Sequence, residues 1–284
     1  MLRVNLAWNP YLFGSLVLLG FWVLGLLVAR RRRNAAGLQE FWWASFACAL
    51  LGVTEPLFVP EYWAPPSILQ LGRWDLESFI FCFAVGGITA AFPEVAPARR
   101  LFERISRWLG HFSRNVRRSI MGWLVPGSPP RPAEPAPERA VLTRPEVVQD
   151  NMILVAAFLG AFGATAHLKL NIIYDSSIVC VAMACFVGWW RPRLRWQILS
   201  GGVSFTLIYA ITLRVVGSVY PTFFVDHWNL RELSNRWILG APAEEYLFAL
   251  TLGLFWAPLY EAWKHVQRAP RDAAPAAPYA TTPR

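Results

Sequence analysis

Two similar stretches decide how this chain folds: residues 75–81, DLESFIF, and residues 242–248, PAEEYLF. Each places carboxyl groups at the start of an apolar run that is long enough to form a membrane helix. A carboxylate in that position is energetically expensive, so it needs a structural or a chemical reason. The recurrence suggests a duplicated unit with one shared interior site.

The composition around these stretches is typical of an integral membrane protein. The chain of 284 residues is 55% hydrophobic and 16% charged, whereas soluble domains carry about 25% charged residues. The apolar residues form blocks of about 17–22 residues, the length that crosses a hydrocarbon core. We therefore predict an all-α, polytopic membrane helical bundle with about seven transmembrane helices. The predicted spans are residues 10–29, 41–59, 76–92, 151–170, 172–190, 197–217 and 237–259.

Lysine and arginine residues predict the orientation of these spans. If the N-terminus is outside, the inner segments hold 21 Lys and Arg residues and the outer segments hold five. Positive residues favour the cytoplasmic side, so we predict an outer N-terminus and a cytoplasmic C-terminus in a bacterial cytoplasmic membrane. The net charge of +9 follows from this topology, and we predict no nucleic-acid partner.

An internal repeat organises the predicted spans. In both stretches a further glutamate follows the aligned one by seventeen residues, at Glu94 and Glu261. Two three-span repeats with an additional span between them would lie parallel, which builds a site between the halves. The predicted units are residues 1–97 (first repeat), 98–150 (cytoplasmic amphipathic helix and Pro-rich linker), 151–171 (connecting span), 172–268 (second repeat) and 269–284 (disordered tail).

Unusual polar residues are predicted to collect near the outer face. A carboxyl group in an apolar site favours its protonated form, and neighbouring carboxyls favour it further. Beside aromatic rings, such an acid can donate a proton and leave a cation that ring faces stabilise. The candidate catalytic residues are Glu244, Glu245, Glu77, Asp75, Glu55 and His167, and the candidate substrate-binding residues are Trp74, Phe79, Phe81, Trp237, Tyr246 and Phe248.

Structural roles for the same residues stay open. An acid in the first turn of a helix satisfies free N–H groups and the helix dipole, an interpretation that fits Asp75 and Glu245. A single histidine such as His167 commonly serves as a hydrogen-bonding group in helix packing. Glu77 and Glu244 recur at equivalent repeat positions, and for these two we favour a functional role.

The sequence predicts neither a metal nor an organic cofactor. Cys48, Cys82, Cys180 and Cys185 lie in apolar stretches and lack metal-ligand spacing with histidine, so we interpret them as small buried hydrophobic residues. No Gly-x-Gly-x-x-Gly follows a predicted strand, so no flavin or nicotinamide fold is indicated.

Residues 237–248, WILGAPAEEYLF, resemble the lycopene cyclase domain family, the small membrane cyclases found as heterodimers in actinobacteria and as fusions in archaea and fungi. The hallmark of that family is Pro-x-Glu-Glu/Asp followed by aromatic and Leu or Phe residues. Residues 74–81, WDLESFIF, are similar but lack the proline and the second acid. The resemblance covers the six spans of the two predicted repeats.

The resemblance implies a carotenoid cyclase that converts a linear, lycopene-like carotene to cyclic β-ionone ends by acid-catalysed, non-redox isomerisation. It implies that Glu244 and Glu245 are the acid/base residues and that Glu77 is the paired carboxyl. Asp75, Glu55 and His167 would support them. The implied partners are a lipid-soluble carotenoid, membrane lipid and other carotenoid enzymes with which the chain could associate.

Other functions fit parts of the same pattern. Parallel repeats and buried acids also suit a transporter or ion carrier, and a non-catalytic carotenoid-binding or assembly protein would have the same composition. An intramembrane prenyl-protein protease fits poorly, because Ala249 occupies the position of the expected arginine and His167 is the only histidine inside a predicted span.

Overall fold

A computed structural model describes residues 2–4, 9–31, 35–71, 73–92, 144–165 and 167–264. Most of these residues are helical. Glu94, the predicted amphipathic helix and Pro-rich linker up to residue 143, and the predicted tail at 269–284 lie outside the described residues.

The described residues form ten helices and five short strands. The helices are α1 (Pro10–Arg31), α2 (Ala35–Ala49), α3 (Glu55–Phe58), α4 (Leu76–Ala91), α5 (Arg144–Thr165), α6 (Ile172–Trp190), α7 (Arg195–Val219), α8 (Phe223–His227), α9 (Ala243–Trp256) and α10 (Leu259–Lys264). The strands are β1 (Leu2–Val4), β2 (Leu69–Leu71), β3 (Trp74–Asp75), β4 (Trp237–Ile238) and β5 (Ala241–Pro242). Short 3₁₀ turns lie at Leu50–Thr54, Pro192–Leu194 and Leu230–Glu232.

Several of these helices could cross a membrane. Within the described ranges, four helical stretches are long and apolar enough for this, and each overlaps a predicted span: Pro10–Arg31, Gly37–Phe58, Ile172–Trp190 and Pro192–Val219. The other three predicted spans correspond to α4, a shorter apolar helix, and to α5 and α9. Helices of this length and hydropathy are consistent with a membrane protein, while the count of seven spans stays a prediction.

The chain is mostly helical, as predicted, but a short hairpin that the sequence did not predict precedes each of α4 and α9. Strand β4 pairs with β5, so the helix predicted from residue 237 begins only at Ala243. Leu239 and Gly240 both have positive φ, at 47° and 88°, as a two-residue hairpin turn requires. Before α4, β2 pairs with β3, and β1 joins the other edge of β2.

Six of the helices form two groups of three, and in each group one helix packs against both of the others. Helix α4 packs against α1 and α2, and α9 packs against α6 and α7. Glycines permit the close crossings: a Cβ on Gly86 would lie 2.2 Å from the Ala44 carbonyl oxygen, and one on Gly253 would lie 2.7 Å from that of Gly201. Small residues let membrane helices approach in this way. The two groups meet mainly where α1 and α4 contact α7.

Candidate functional site

A cavity of about 240 Å³ lies between the two helix groups, at the end where α1, α4, α6 and α9 begin. Its walls are mainly aliphatic and aromatic, with Glu55 and Glu245 among the few ionisable side chains that line it. Phe158 and Phe162 of α5 close part of one side. Pockets that enclose a drug-sized ligand measure roughly 300–1,000 Å³, so this cavity fits only one end of a long apolar molecule.

Glu245 is the most strongly held carboxyl in this cavity. It lies in the first turn of α9 and is 3% exposed. Tyr209 OH donates to its Oε2 at 2.6 Å, and Trp228 Nε1 donates to its Oε1 at 2.8 Å. Tyr62 OH also donates to Oε1. Three donors from three separate chain segments therefore fix this side chain at the cavity wall.

Tyr62 belongs to the loop between the first helix group's α3 and β2, outside the spanning helices. Burial, and then the neighbouring Glu245 carboxyl, raises the pKa of Tyr62 well above its usual value. Its hydroxyl therefore keeps its proton at neutral pH and acts as a donor. Residues 62 and 229 also share a backbone hydrogen bond of 3.0 Å, from Asn229 N to Tyr62 O, which ties this loop to the second helix group.

Glu55 lines the same cavity from the first helix group and is 5% exposed. Its Oε2 accepts one hydrogen bond from the backbone N–H of Asp75, at 2.7 Å. Ser78 in the first turn of α4 also lines the cavity, and its Oγ lies 2.7 Å from Tyr11 OH. The fold thus brings two of the six predicted catalytic residues, Glu55 and Glu245, to one cavity.

Glu244 and Glu77 are buried but do not belong to the cavity lining. Glu244 Oε1 accepts from the backbone N–H of Ser234 at 2.8 Å and from Tyr174 OH at 2.6 Å. Glu77 accepts from the backbone N–H of Ile68 at 2.6 Å and from the hydroxyl of the preceding serine at 2.8 Å. Each glutamate therefore clamps the chain segment that enters the hairpin before its own helix.

The remaining two catalytic candidates lie apart from the cavity. Asp75 is buried at the N-terminal end of α4, where its side chain makes no capping hydrogen bond. His167 is exposed in the turn between α5 and α6. Neither residue is among those that line the cavity.

Of the six aromatic residues predicted to bind substrate, some line the cavity and others lie outside it. Phe81 and Phe248 line the cavity. Trp74 and Trp237 are each 42% exposed on the hairpins. Phe79 lies against Gly52, and Tyr246 is half-buried. Like the two hairpin tryptophans, neither residue lines the cavity.

Sequence reasoning missed the tyrosines that hold the carboxyls. Tyr209 lies within a predicted span, Tyr62 in a predicted outer loop, and Tyr174 near the start of a predicted span. A tyrosine in the middle of an apolar span needs a hydrogen-bond partner for its hydroxyl, and this signal could have singled out Tyr209. Nothing in the local pattern distinguishes Tyr62.

No group of three or more His, Cys, Asp and Glu side chains with metal-binding geometry occurs within the described part of the chain. The candidate site instead combines carboxyl groups, hydroxyl groups and aromatic rings. Tyr11 packs edge-on against Trp63 at 4.6 Å between ring centroids, and Trp63 lies 5.3 Å from Trp228. These three rings line the cavity, and Trp228 is hydrogen-bonded to Glu245. Such an arrangement can transfer protons and stabilise positive charge in an apolar space.

Comparison with known proteins finds a similarity in the second helix group. Residues 171–263 match the family model of lycopene cyclase. This part of the chain is similar to lycopene cyclase. The matched lycopene cyclase region contains Glu244, Glu245, Tyr209 and Trp228, whereas Glu55 and Tyr62 precede it. No curated protein matched the chain, and no solved structure did.

Proposed function

We propose that the chain is a membrane carotenoid cyclase that closes β-ionone rings at the ends of a linear, lycopene-like carotene by acid-catalysed isomerisation. The observation that carries this proposal is the buried Glu245 carboxyl, which lies in the lycopene cyclase region and faces an apolar cavity lined with aromatic rings. Its substrate is a lipid-soluble carotenoid. The reaction needs only proton transfer, so no cofactor takes part.

The proposed reaction conserves all atoms and electrons of the carotene. A proton adds to the terminal double bond and leaves a tertiary carbocation. The electron pair of a nearby double bond attacks that cation and closes a six-membered ring. A second proton then leaves the ring, so the product is an isomer of the substrate. Glu245 handles one of these protons, because it is the cavity carboxyl that three donors hold in place.

The cavity supports this chemistry in two further ways. The rings of Tyr11, Trp63 and Trp228 pack against one another in the cavity lining, where aromatic surfaces would stabilise a carbocation. The cavity of about 240 Å³ holds one end group of the carotene, while the remainder of the carotene molecule lies in lipid between the helices. Each end of the carotene then reacts in a separate binding event.

The proposed architecture is a parallel repeat of three spans in each half with α5 as an additional span. In its support, Asn9 and Asn171 occupy matching positions at the starts of α1 and α6, and the side chain of each accepts a backbone N–H of the first turn. Glu77 and Glu244 make matching clamps to the chain before each hairpin. The N-terminus lies outside and the C-terminus in the cytoplasm, in a bacterial cytoplasmic membrane.

Within this proposal Glu244 and Glu77 position the site and do not touch the substrate. They hold the hairpins from which α9 and α4 begin, and α9 carries Glu245. Asp75 contributes its backbone N–H to Glu55. His167 has no role in proton transfer, because it is exposed outside the cavity.

Pigment analysis tests the proposed function. We expect cells that accumulate lycopene to form cyclic carotenes when they express the wild-type chain, and to keep the linear carotene when they express Glu245→Gln at equal membrane level. Glu61→Gln is the matched control, since Glu61 is exposed and its change should leave the pigments as in the wild type. A well-expressed wild type that leaves lycopene unchanged would contradict the proposal, and a vesicle flux of substrate without conversion would favour a transporter.

A further inference from the structure

The two helix groups can be superimposed in sequence through their glycine crossings. Gly86 of α4 meets the carbonyl of Ala44 in α2, and Gly253 of α9 meets the carbonyl of Gly201 in α7. Gly86 therefore corresponds to Gly253, and Ala44 corresponds to Gly201. The same correspondence pairs Glu77 with Glu244, which both clamp a hairpin.

Counting from these anchors pairs the polar residues of the cavity. Ser78 and Glu245 each lie eight positions before their glycine, and Glu55 and Thr212 each lie eleven positions after their crossing residue. All four residues line the cavity. At these paired positions each half therefore supplies one carboxyl and one hydroxyl, but the helix positions that carry them are exchanged. The acid that is missing from the first copy of the repeat motif is supplied by Glu55.

The two carboxyls have different surroundings. Glu245 receives three hydrogen bonds, from Tyr62, Tyr209 and Trp228, and donors directed at a carboxyl stabilise its ionised form. Glu55 has two donors, the backbone N–H of Asp75 and the Ser78 hydroxyl, and it has the carboxyl of the neighbouring Asp75 beside it. Fewer donors and a nearby second acid favour the protonated form of a buried carboxyl.

We propose that Glu55 is the acid that protonates the carotene end and that Glu245 is the carboxylate that removes a proton after ring closure. This assignment rests on the proposed cyclase function and divides its two proton transfers between the two halves of the chain. The negative charge of Glu245 also stabilises the carbocation between the two steps. Both groups are catalytic residues in this account, because both face the space that the carotene end occupies.

The cycle is balanced by one proton exchange. Ring closure moves a proton from Glu55 to the carotene and another from the ring to Glu245. Before the next turnover Glu245 releases a proton and Glu55 takes one up from solvent. No oxidant, reductant or co-reactant enters the cycle.

Deuterium labelling distinguishes this assignment from its reverse. The full-length protein in liposomes in D₂O is supplied with lycopene, and the linear and cyclic carotenes are analysed by mass spectrometry. Glu245→Gln should form less than about a hundredth of the wild-type cyclic product, yet return linear carotene that contains deuterium, because Glu55 still adds and removes a proton reversibly. Glu55→Gln should form equally little cyclic product and return unlabelled linear carotene.

The other outcomes separate this assignment from the proposed function and from misfolding. Label in the linear carotene from Glu55→Gln and none from Glu245→Gln would reverse the two roles, and wild-type turnover by Glu55→Gln would remove Glu55 from the reaction. Glu55→Asp keeps a carboxyl and should retain measurable product and label, whereas no product from a folded Glu55→Asp together with label from Glu55→Gln would contradict the acid role. A wild type that forms no cyclic carotene would instead overturn the proposed function itself.

Discussion

Neighbouring glutamates in one helical turn have different surroundings and therefore different expected roles. Glu244 accepts hydrogen bonds from Ser234 and Tyr174 outside the cavity, whereas Glu245 faces the cavity under three donors. The sequence motif presents the two acids as a pair. Their partners separate a residue that supports the helix start, Glu244, from the residue that we propose reacts, Glu245.

Removal of one donor from Glu245 should slow the reaction. Tyr209→Phe keeps the ring but deletes the hydroxyl that donates at 2.6 Å. A hydrogen bond to a charged group contributes roughly 1.5–3 kcal/mol, so we expect the rate of cyclic carotene formation to fall about tenfold or more. Tyr260→Phe is the control, because this buried tyrosine lies outside the cavity lining. Equal rates for the two variants would refute the importance of this contact.

Glu244→Gln should affect stability more than turnover. The variant loses a charge that accepts two hydrogen bonds, and we expect a cost of about 1–3 kcal/mol. Thermal unfolding in detergent should show a lower melting temperature, while the rate per folded molecule stays well above that of Glu245→Gln. A normal melting temperature with no turnover would instead show that Glu244 acts in the chemistry.

Glu261 should make stability depend on pH. Burial, and then the nearby Glu40 carboxyl, raises the pKa of Glu261 to about 8 against the lowering effect of Arg193. The folded state then holds a proton that the unfolded chain releases near its usual pKa, so stability is lost as pH rises from about 4.5 to about 8. We expect the melting temperature to fall over this range and Glu261→Gln to reduce the fall. An identical pH profile in the variant would contradict this cause.

At the scale of elements, glycine contacts determine how the helices cross. Gly86→Ala would bring a Cβ to 2.2 Å from the Ala44 carbonyl, whereas Gly160 has nothing within 4 Å of an added Cβ. Overpacking of this kind costs roughly 1–3 kcal/mol. We therefore expect a lower melting temperature and folded yield for Gly86→Ala and wild-type values for Gly160→Ala. Equal stability of the two variants would mean that α2 and α4 separate easily.

The sequence predicts the long helices well and the hairpins poorly. Apolar runs identify α1, α6 and α7, because length and hydropathy alone are decisive for a membrane helix. The two-residue strands β4 and β5 are too short to show a period, and their apolar residues read as an extension of α9. The hairpin nevertheless positions α9, since it brings Ser234 to the Glu244 clamp.

For the candidate site, too, local sequence motifs allow prediction, whereas contacts between distant segments do not. Glu245 could be predicted because it lies in a local motif, and Glu55 because an acid late in an apolar span is unusual. Their different surroundings could not be predicted, since Tyr62, Tyr209 and Trp228 reach Glu245 from positions 183, 36 and 17 residues away. Contacts over such separations depend on how the helix groups pack.

At the scale of the whole molecule, two helix groups enclose one cavity. In the proposed function, proton transfer alone isomerises a carotene in that cavity. Neither group encloses the cavity alone, because its lining comes from α1 and α4 as well as α6, α7 and α9. In the proposed reaction, the proton that starts ring closure comes from a carboxyl group that exchanges with solvent. In D₂O this proposed reaction would therefore place deuterium from the solvent in the cyclic carotene.

The most direct measurement is the mass of the cyclic carotene that the purified wild-type protein forms from lycopene in D₂O, with no cofactor added. The account predicts cyclic carotene that carries one deuterium for each ring closed. No cyclic carotene, or cyclic carotene without deuterium, would contradict it.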